Sequence, residues 1–276
     1  MKKLITLTFF ALFVFGANAQ ELIIIHSDNL KCDDSIRVYS PQNCTACNHD
    51  QCVESLPTLF LLHGWSGDYK NWGDKSDLQK LCNETGFRII CPDGFYNSWY
   101  ADNVNKAEMQ WKTFFDEELY PQMAEKYKLD PAKTFITGLS MGGLGALNIF
   151  IDNPDRFAAA GSMSGVLNIH HTTLIESQVT KVLGPYTLDS QIYNDYSVVH
   201  RLDKMVGNSK IMIATCGYDD YYAKSTIEFE QKCKELKIPH ITILSPGTHS
   251  WKYWDFALGM HIGLFTKIMN GDNLGY

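Results

Sequence analysis

The chain has 276 residues, of which 45% are hydrophobic and 20% are charged, a composition that is ordinary for a globular domain. Its formal net charge of −7, without any cluster of lysine and arginine, argues against a nucleic-acid partner. The same charge gives no reason to expect electrostatic binding to an anionic membrane surface.

The first nineteen residues have the pattern of a secretory signal peptide. Lys2 and Lys3 precede an almost unbroken apolar run from Leu4 to Phe15, and the small residues of Ala17-Asn18-Ala19 follow. The apolar run is short for a permanent membrane span. We therefore expect cleavage before Gln20 and export to the periplasm or the medium without a membrane anchor. Residues 20–276 would form one catalytic domain.

The cysteine content fits export. All eight cysteines follow the expected cleavage point, and an even number in an exported chain favours disulfide bonds of undetermined pairing. Several lie in a polar loop at about residues 41–55. There Cys44 and Cys47, with His49 and Cys52, form an alternative zinc-binding pattern. The crowding of these residues and the oxidising compartment favour disulfides, so we expect no metal ion. The eight are Cys32, Cys44, Cys47, Cys52, Cys82, Cys91, Cys216 and Cys233.

Short apolar runs along the chain predict β-strands. Residues 21–27 and 36–39 are β-branched and apolar, and we interpret them as two opening strands. Six later runs each end at a turn signal, and runs of this length are typical of parallel strands buried on both faces. They cover residues 58–62, 87–90, 134–137, 157–163, 210–215 and 241–244.

Helical patterns alternate with these strands. One apolar stripe recurs every four residues, at Phe115, Leu119, Met123 and Tyr127. Pro121 interrupts this stretch and predicts either a kink or two successive helices. Further helices are expected at residues 141–152 and 226–236. The alternation predicts an α/β fold with a mostly parallel central sheet and helices on both faces. Residues 166–208 lack a clear strand pattern, and we interpret them as a cap-like insertion that shapes a substrate pocket.

A nucleophile motif lies between a predicted strand and a predicted helix. Gly138-Leu139-Ser140-Met141-Gly142 matches G-x-S-x-G, and a buried strand before it with a small-residue helix after it is the setting of a nucleophile elbow. The two glycines leave room for the tight turn that exposes the serine hydroxyl. The positive end of the following helix points at the reacting oxygen. We expect Ser140 to be the nucleophile.

A serine nucleophile needs a base and an acid. Serine is activated by an adjacent base, and in this arrangement the acid and the histidine follow the serine from later strand ends. Asp219 and Asp220 follow the strand at residues 210–215, and His249 follows the last strand. We therefore expect His249 to be the base. The two aspartates are not distinguished by the sequence pattern alone.

The remaining histidines fit the base less well. His240 begins a strand, at the wrong end of the sheet, and His261 lies in a C-terminal helix. His63 is expected to shape a loop. His170 and His171 lie in the cap-like insertion, where they would be able to touch a substrate.

Acyl transfer also needs donors for a developing oxyanion. One donor should be the backbone N–H of Met141, the residue after the nucleophile. The other should come from the loop after the strand at residues 58–62, where Gly64 permits a turn and Trp65 offers its N–H. We therefore expect Trp65 and Met141 to form the oxyanion hole.

From about Thr58 to its C-terminus, the chain resembles the esterase D family of α/β-hydrolases. This family includes S-formylglutathione hydrolases, feruloyl and acetyl-xylan esterases, tributyrin esterases and mycolyltransferases. The resemblance is carried by Leu-Leu-His-Gly at 61–64, Pro-Asp-Gly at 92–94, Ser-Trp-Tyr at 98–100, Gly-Leu-Ser-Met-Gly-Gly at 138–143, Cys-Gly-Tyr-Asp-Asp at 216–220 and Gly-Thr-His-Ser-Trp at 247–251.

The resemblance implies the α/β-hydrolase fold and a serine esterase without a cofactor. It favours Asp220 over Asp219 as the acid and Trp65 as the second oxyanion donor. It also implies that Trp99 and Tyr100 lie near the active site, with packing in the core as the alternative role for both. The Cys-rich segment before Thr58 departs from the family pattern.

These residues together predict a serine carboxylic ester hydrolase that forms an acyl-enzyme. The aromatic residues Trp65, Trp99, Tyr100 and Trp251 are candidates to stack on a sugar or phenolic group, so acetyl or feruloyl esters of carbohydrates are the expected substrates. Expected export argues against formylglutathione, a cytosolic substrate. One alternative is an acyltransferase that uses the same triad with a sugar hydroxyl as the acceptor. Another is a catalytically idle binding protein with the hydrolase fold.

Overall fold

The computed structural model describes residues 20–42 and 56–274. The expected signal peptide at residues 1–19 lies outside the described residues. So does most of the Cys-rich loop, including Cys44, Cys47, Cys52 and the alternative zinc ligand His49.

Eight strands form one mostly parallel sheet. Its order is β1-β2-β4-β3-β5-β6-β7-β8, in which β2 pairs antiparallel with both β1 and β4 and the remaining neighbours are parallel. The strands are β1 (Gln20–Ser27), β2 (Cys32–Tyr39), β3 (Thr58–Leu62), β4 (Arg88–Pro92), β5 (Thr134–Gly138), β6 (Ala159–Met163), β7 (Ile211–Gly217) and β8 (His240–Ser245). Every predicted strand is present, with small shifts at most ends and an earlier start of β2.

Eight of the nine described helices lie between strands, and the last follows β8. They are α1 (Asn71–Lys75), α2 (Leu78–Thr85), α3 (Trp111–Phe114), α4 (Tyr120–Tyr127), α5 (Met141–Asp152), α6 (Thr180–Leu183), α7 (Gln191–Tyr196), α8 (Ala223–Leu236) and α9 (Trp251–Asn270). Within residues 20–42 and 56–274, none of the helices has the length and apolar character needed to cross a membrane.

Both faces of the sheet are covered, as the long apolar runs predicted. On β3, Phe60 and Leu62 pack in one apolar cluster with α5, whereas Leu59 and Leu61 pack in the other with α9. Successive strand residues point to opposite faces, so a strand buried on both sides has no polar alternation. The predicted α/β-hydrolase architecture is confirmed.

The stretch around Pro121 continues as a helix. A π-helical turn at Phe115–Leu119 joins α3 to α4, and Pro121 lies in the first turn of α4. Proline lacks the N–H that an α-helix requires, and the wider preceding turn accommodates the lost bond. The predicted interruption is therefore a local widening of one turn.

Residues 166–208 contain only short helical segments and no strand. Besides α6 and α7, they hold a π-helical turn at Ile175–Val179 and 3₁₀ turns at Ile169–His171, Val198–His200 and Leu202–Met205. Apolar side chains such as Val179 and Leu202 join the core on the α5 side of the sheet. The interpretation of this segment as a cap-like insertion stays a prediction.

The described cysteines are thiols. Cys32, Cys82, Cys91, Cys216 and Cys233 are all unpaired, and burial raises the pKa of Cys82, Cys216 and Cys233 to about 12. These thiols are protonated at neutral pH and pack as small apolar side chains. The expected disulfides are not found among the described cysteines.

A fully buried histidine joins α9 to the sheet. His261 contacts Thr137 of β5 through Nδ1 at 2.9 Å and Thr215 of β7 through Nε2 at 3.1 Å. Gly161 of β6 makes room, because a Cβ there would lie 2.4 Å from His261 Nδ1. Burial without a charged partner lowers the pKa of His261 from 6.5 to about 3. The imidazole is neutral, so it donates a hydrogen bond to one threonine hydroxyl and accepts one from the other.

We predict that His261 makes the fold sensitive to acid. Below about pH 6.5 the unfolded chain binds a proton at this position that the folded chain does not bind until about pH 3. The free energy of unfolding should therefore fall with falling pH, by up to about 1.4 kcal/mol per pH unit from this group. Urea unfolding of wild type and His261→Gln between pH 7.5 and 4.5 would measure it. Parallel pH curves for the two proteins would contradict the prediction.

Candidate active site

Ser140 occupies a strained turn between β5 and α5. Its backbone has φ 52° and ψ −115°, a conformation that non-glycine residues rarely adopt. The Ser140 N–H donates to the Met163 carbonyl at 2.9 Å, and its own carbonyl accepts from Gly143 and Leu144 at 3.0 and 3.2 Å. These bonds anchor Ser140 to β6 on one side and to the start of α5 on the other. The strand–turn–helix setting predicted for Ser140 is the one observed.

The turn also packs against the end of β3. A Cβ on Gly142 would lie 2.5 Å from the His63 carbonyl oxygen and 2.6 Å from that of Leu62. Only glycine allows this approach of the turn to the neighbouring strand end. The contact sets the position of Ser140 relative to the loop that follows β3.

A hydrogen-bond chain joins the three predicted residues. His249 Nε2 lies 3.0 Å from Ser140 Oγ, and His249 Nδ1 lies 3.0 Å from each carboxylate oxygen of Asp220. The Asp220 side chain is fully buried, whereas Asp219 is exposed. Asp220 Oδ1 also accepts the Tyr222 N–H at 2.9 Å. The structure thus distinguishes the two aspartates and pairs Asp220 with His249.

The loops that carry Asp220 and His249 are joined to each other. The Tyr218 N–H donates to the Ser245 carbonyl at 2.9 Å, and the Asp219 N–H donates to the Gly247 carbonyl at 3.0 Å. Strands β7 and β8 are parallel neighbours, so their carboxyl ends bring these loops to one edge. Main-chain bonds therefore hold the acid loop and the histidine loop in register.

Two main-chain N–H groups near Ser140 have no acceptor. Neither the Met141 N–H nor the Trp65 N–H donates a hydrogen bond to any residue in the described part of the chain. Buried or partly buried main-chain donors are nearly always paired, so free donors beside a nucleophile are suited to a negatively charged ligand atom. Both residues are the ones predicted for an oxyanion hole.

His63 fixes the loop that contains Trp65. Its Nε2 accepts the Gly94 N–H at 2.7 Å, so the proton lies on Nδ1, which donates to the Gly64 carbonyl at 2.8 Å. The Tyr100 hydroxyl donates to the His63 carbonyl at 2.8 Å. His63 shapes this loop, as its place in the sequence predicted.

The structure corrects the expectation that Trp99 and Tyr100 bind a substrate. Trp99 is 1% exposed and Tyr100 is 2% exposed. Trp99 donates to Asn97 Oδ1, and Tyr100 packs edge-on against Trp111 with ring centroids 4.5 Å apart. Both side chains point into the core because their left-handed backbone turns them inward from the loop after β4. From this buried position the Tyr100 hydroxyl supports the loop around His63.

A cleft of about 540 Å³ opens beside Ser140 and His249. Trp65 and Trp251 line it, so these two predicted aromatic residues do reach the cleft. Its other walls include Leu174, Tyr221 and Trp254, which sequence reasoning missed. Tyr221 follows Asp220 directly, and this position after the acid was the signal available for it.

Tyr222 connects the acid, the histidine and residues 166–208. Its ring meets His249 edge-on at 5.2 Å, and its hydroxyl lies 2.8 Å from Thr172 Oγ1. Burial raises the pKa of Tyr222, so this hydroxyl keeps its proton. Because Thr173 and Leu174 line the cleft, the Thr172 contact attaches one cleft wall to the loop that carries Asp220.

The other histidines lie away from this cleft. His170 contacts the Tyr186 hydroxyl at 3.1 Å and Asn194 Oδ1 at 3.0 Å, and His171 Nε2 lies 3.7 Å from Glu228. Neither ring lines the cleft. Among residues 20–42 and 56–274, no three or more His, Cys, Asp or Glu side chains are grouped to hold a metal ion.

Comparisons with known proteins place this chain among esterases. The family described as "Putative esterase" matches residues 27–264. An acetyl esterase of Caldicellulosiruptor saccharolyticus is 26% identical over 73% of this chain and 80% of its own length. The diacylglycerol acyltransferase/mycolyltransferase Ag85A of Mycobacterium leprae is 27% identical over 72% of this chain and 71% of its own length. A solved ferulic acid esterase has a TM-score of 0.76 at 23% identity, covering 91% and 98% of the two chains.

The family match covers most of the chain, and the solved structure agrees in fold. The chain therefore belongs to the esterase family, with the α/β-hydrolase fold, and is an enzyme of carboxylic ester chemistry.

Proposed function

We propose that this enzyme hydrolyses carboxylic esters through Ser140, His249 and Asp220. The observation that carries the proposal is the hydrogen-bond chain, in which His249 lies 3.0 Å from Ser140 Oγ on one side and from both Asp220 oxygens on the other. This is the geometry in which a base activates a serine and a third group orients the base.

The first half-reaction forms an acyl-enzyme. His249 Nε2 takes the hydroxyl proton as Ser140 Oγ bonds to the ester carbonyl carbon. The proton then passes from Nε2 to the leaving alcohol as the carbon–oxygen bond breaks. In the second half-reaction the same nitrogen removes a proton from water as the water oxygen bonds to the acyl carbon. The bond from that carbon to Ser140 Oγ then breaks, and the proton passes from Nε2 to Oγ as the acid leaves.

Asp220 and the free N–H groups support both steps. The Asp220 carboxylate accepts from His249 Nδ1, which leaves Nε2 as the basic nitrogen and stabilises the imidazolium that forms. The N–H groups of Trp65 and Met141 would donate to the carbonyl oxygen as it gains negative charge. One such donor is typically worth about 10²–10³ in kcat. No cofactor or metal enters these steps.

We propose acetyl or feruloyl esters of carbohydrates as the substrates. The cleft contains both polar and aromatic groups, with Trp65 and Trp251 on its walls and Ser140 within it. Relatives named acetyl esterase and ferulic acid esterase support this class. Turnover of acetylated xylan, methyl ferulate and tributyrin would rank the candidates, and a preference for tributyrin would contradict the proposal.

Acyl transfer to a sugar hydroxyl is the alternative reaction. The similarity to a protein named as an acyltransferase favours it, and the same three residues would serve. Product analysis with a sugar acceptor present separates the two, because a transferase yields a new ester and a hydrolase yields the free acid.

We predict export with cleavage before Gln20. The proposal rests on the basic start, the apolar run and the small residues at 17–19. N-terminal sequencing of the protein recovered outside the cytoplasm of its own host is expected to begin at Gln20. A chain that still begins at Met1 would contradict cleavage.

We predict that replacing Asp220 abolishes most of the activity, whereas replacing its neighbour Asp219 has little effect. Asp220→Asn should lower kcat by about 10⁴, since the amide cannot hold His249 in its working tautomer. Asp219→Asn, with an exposed side chain, is the matched control and should change kcat less than about twofold. Hydrolysis of p-nitrophenyl acetate measures kcat of the two variants, and labelling by a fluorophosphonate measures the reactivity of their serine. Ser140→Ala is the inactive reference in both assays. Equal losses in the two variants would contradict the assignment, and an unlabelled wild type would favour an idle binding protein.

We predict that the Tyr222–Thr172 hydrogen bond sets substrate affinity more than chemistry. Tyr222→Phe and Thr172→Val each remove the bond but leave the Tyr222 N–H on Asp220, so the cleft wall at Thr173 and Leu174 loosens. KM should rise several-fold with kcat changed less than about twofold. The double variant should be no worse than Thr172→Val, which removes this bond and also the one that Leu174 N–H donates to Thr172 Oγ1 at 3.2 Å. A loss confined to kcat would contradict this role.

A further inference from the structure

A second cavity adjoins the cleft across one aromatic pair. Trp65 lines the cleft and Tyr96 lines a neighbouring cavity of about 500 Å³, and their ring centroids are 5.2 Å apart. The Ser66 N–H donates to the Tyr96 carbonyl at 2.9 Å, which holds the two loops together. The second cavity therefore lies next to the cleft, and a group attached to a substrate in the cleft would reach it by passing the Trp65–Tyr96 pair.

The walls of the second cavity are held in place by hydrogen bonds. Its two sides are the loop at residues 95–109 and the helical segment at residues 175–183. Val104 N–H donates to the Val182 carbonyl at 2.9 Å, and Asn97 Nδ2 donates to the Gln178 carbonyl at 3.0 Å. Asn105 Nδ2 donates to the carbonyls of Thr180 and Lys181 at 3.1 Å. A cavity formed before its ligand arrives avoids the cost of ordering loops on binding.

The lining of this cavity combines an apolar surface with positive charge. Phe95, Tyr96 and Val182 supply apolar faces, and Tyr96 is 56% exposed. Lys106 and Lys181 are the charged residues in the lining, and no Asp or Glu accompanies them. Across the described residues, neither ammonium lies within 4.0 Å of a carboxylate.

The positive charge of this lining is opposite to the net charge of the chain. The chain as a whole carries −7, whereas two lysines and no acidic side chain line this cavity. Lys181 Nζ donates to Gln178 Oε1 at 3.3 Å, a neutral partner that leaves its charge uncompensated. Two ammonium groups without a carboxylate neighbour at an apolar cavity complement a ligand with a flat apolar face and a negative charge. A hydrocarbon chain would not use the lysines, and inorganic phosphate would not use the aromatic walls.

We propose that this cavity is a subsite for a uronic acid residue of the carbohydrate that carries the ester. The C–H face of the sugar ring would lie against Tyr96 and Phe95, and its carboxylate would bind Lys106 and Lys181. The inference rests on the proposed carbohydrate esterase function and makes it more specific, because the preferred substrate becomes an acidic rather than a neutral glycan.

The test uses two matched acetylated oligosaccharides. One contains a uronic acid residue, and in the other that carboxylate is reduced to the alcohol. Wild type should show a higher kcat/KM for the acidic substrate, and the advantage should shrink as salt increases. In Lys106→Gln/Lys181→Gln, the ratio of kcat/KM for the acidic over the neutral substrate should fall roughly tenfold, the usual worth of charge-assisted contacts.

The control is a double variant with the same change in net charge at two lysines that do not line the cavity. Lys80→Gln/Lys234→Gln replaces exposed lysines of α2 and α8 and should keep the wild-type ratio. An unchanged ratio in the Lys106/Lys181 variant would overturn the subsite, and so would an equal fall in the control. Stronger inhibition by free ferulate than by glucuronate, lost in the Lys106/Lys181 variant, would also overturn it, since an aromatic acid would then be the occupant. Failure of wild type to hydrolyse p-nitrophenyl acetate would instead overturn the proposed function.

Discussion

The contact between the Ser140 turn and the end of β3 is the constraint on which the site depends. Gly142 approaches the carbonyls of Leu62 and His63 so closely that no side chain fits between them. Met141 belongs to this turn, and Trp65 follows His63 by two residues, so one contact sets Ser140 and both free N–H groups relative to each other. A preorganised donor pair of this kind needs no rearrangement when charge develops on a bound carbonyl oxygen. The loops after β7 and β8 then place Asp220 and His249 next to this fixed turn.

The backbone around the cleft stores strain that the core must offset. Ten non-glycine residues of the described part have positive φ, and Lys31, Lys128 and Lys237 among them lie at a β-turn or a helix end. The other seven follow the carboxyl ends of β3, β4, β5 and β6, namely Ser66, Phe95, Trp99, Tyr100, Met109, Ser140 and Ser164. Each such residue costs about 1–3 kcal/mol and persists only where surrounding contacts over-determine it. Tyr100 illustrates the compensation, since its buried ring packs on Trp111 and its hydroxyl supports His63.

The fold and the hydrogen-bond chain were predictable because they depend on periodicity and chain order. Buried strands appear as continuous apolar runs, and a parallel sheet places their carboxyl ends at one edge, which brought Ser140, Asp220 and His249 together. Side-chain direction in loops has no comparable signal. Trp99 and Tyr100 were expected in the cleft because their loop is near it, yet left-handed backbone turns them into the core. The contacts of Tyr222, and the cavity that Lys106 and Lys181 line, depend on segments that are distant in sequence, and residue spacing does not encode such contacts. The cysteine count did not distinguish the five described thiols from paired cysteines for a related reason, because a buried thiol and a disulfide-bonded cysteine are the same residue in a sequence.

The choice between water and a sugar as acyl acceptor cannot lie in the hydrogen-bond chain itself. Either acceptor must approach the acyl carbon from the side of His249 Nε2, and either loses its proton to that nitrogen. What differs is the group that holds the acceptor. Tyr221, which is 83% exposed, lines the cleft with its ring 5.8 Å from His249. Water needs no such platform, whereas a sugar would gain orientation from an exposed ring beside the base. The proposed hydrolysis and the alternative transfer would therefore diverge at the exposed wall around Tyr221 rather than at Ser140 and its partners.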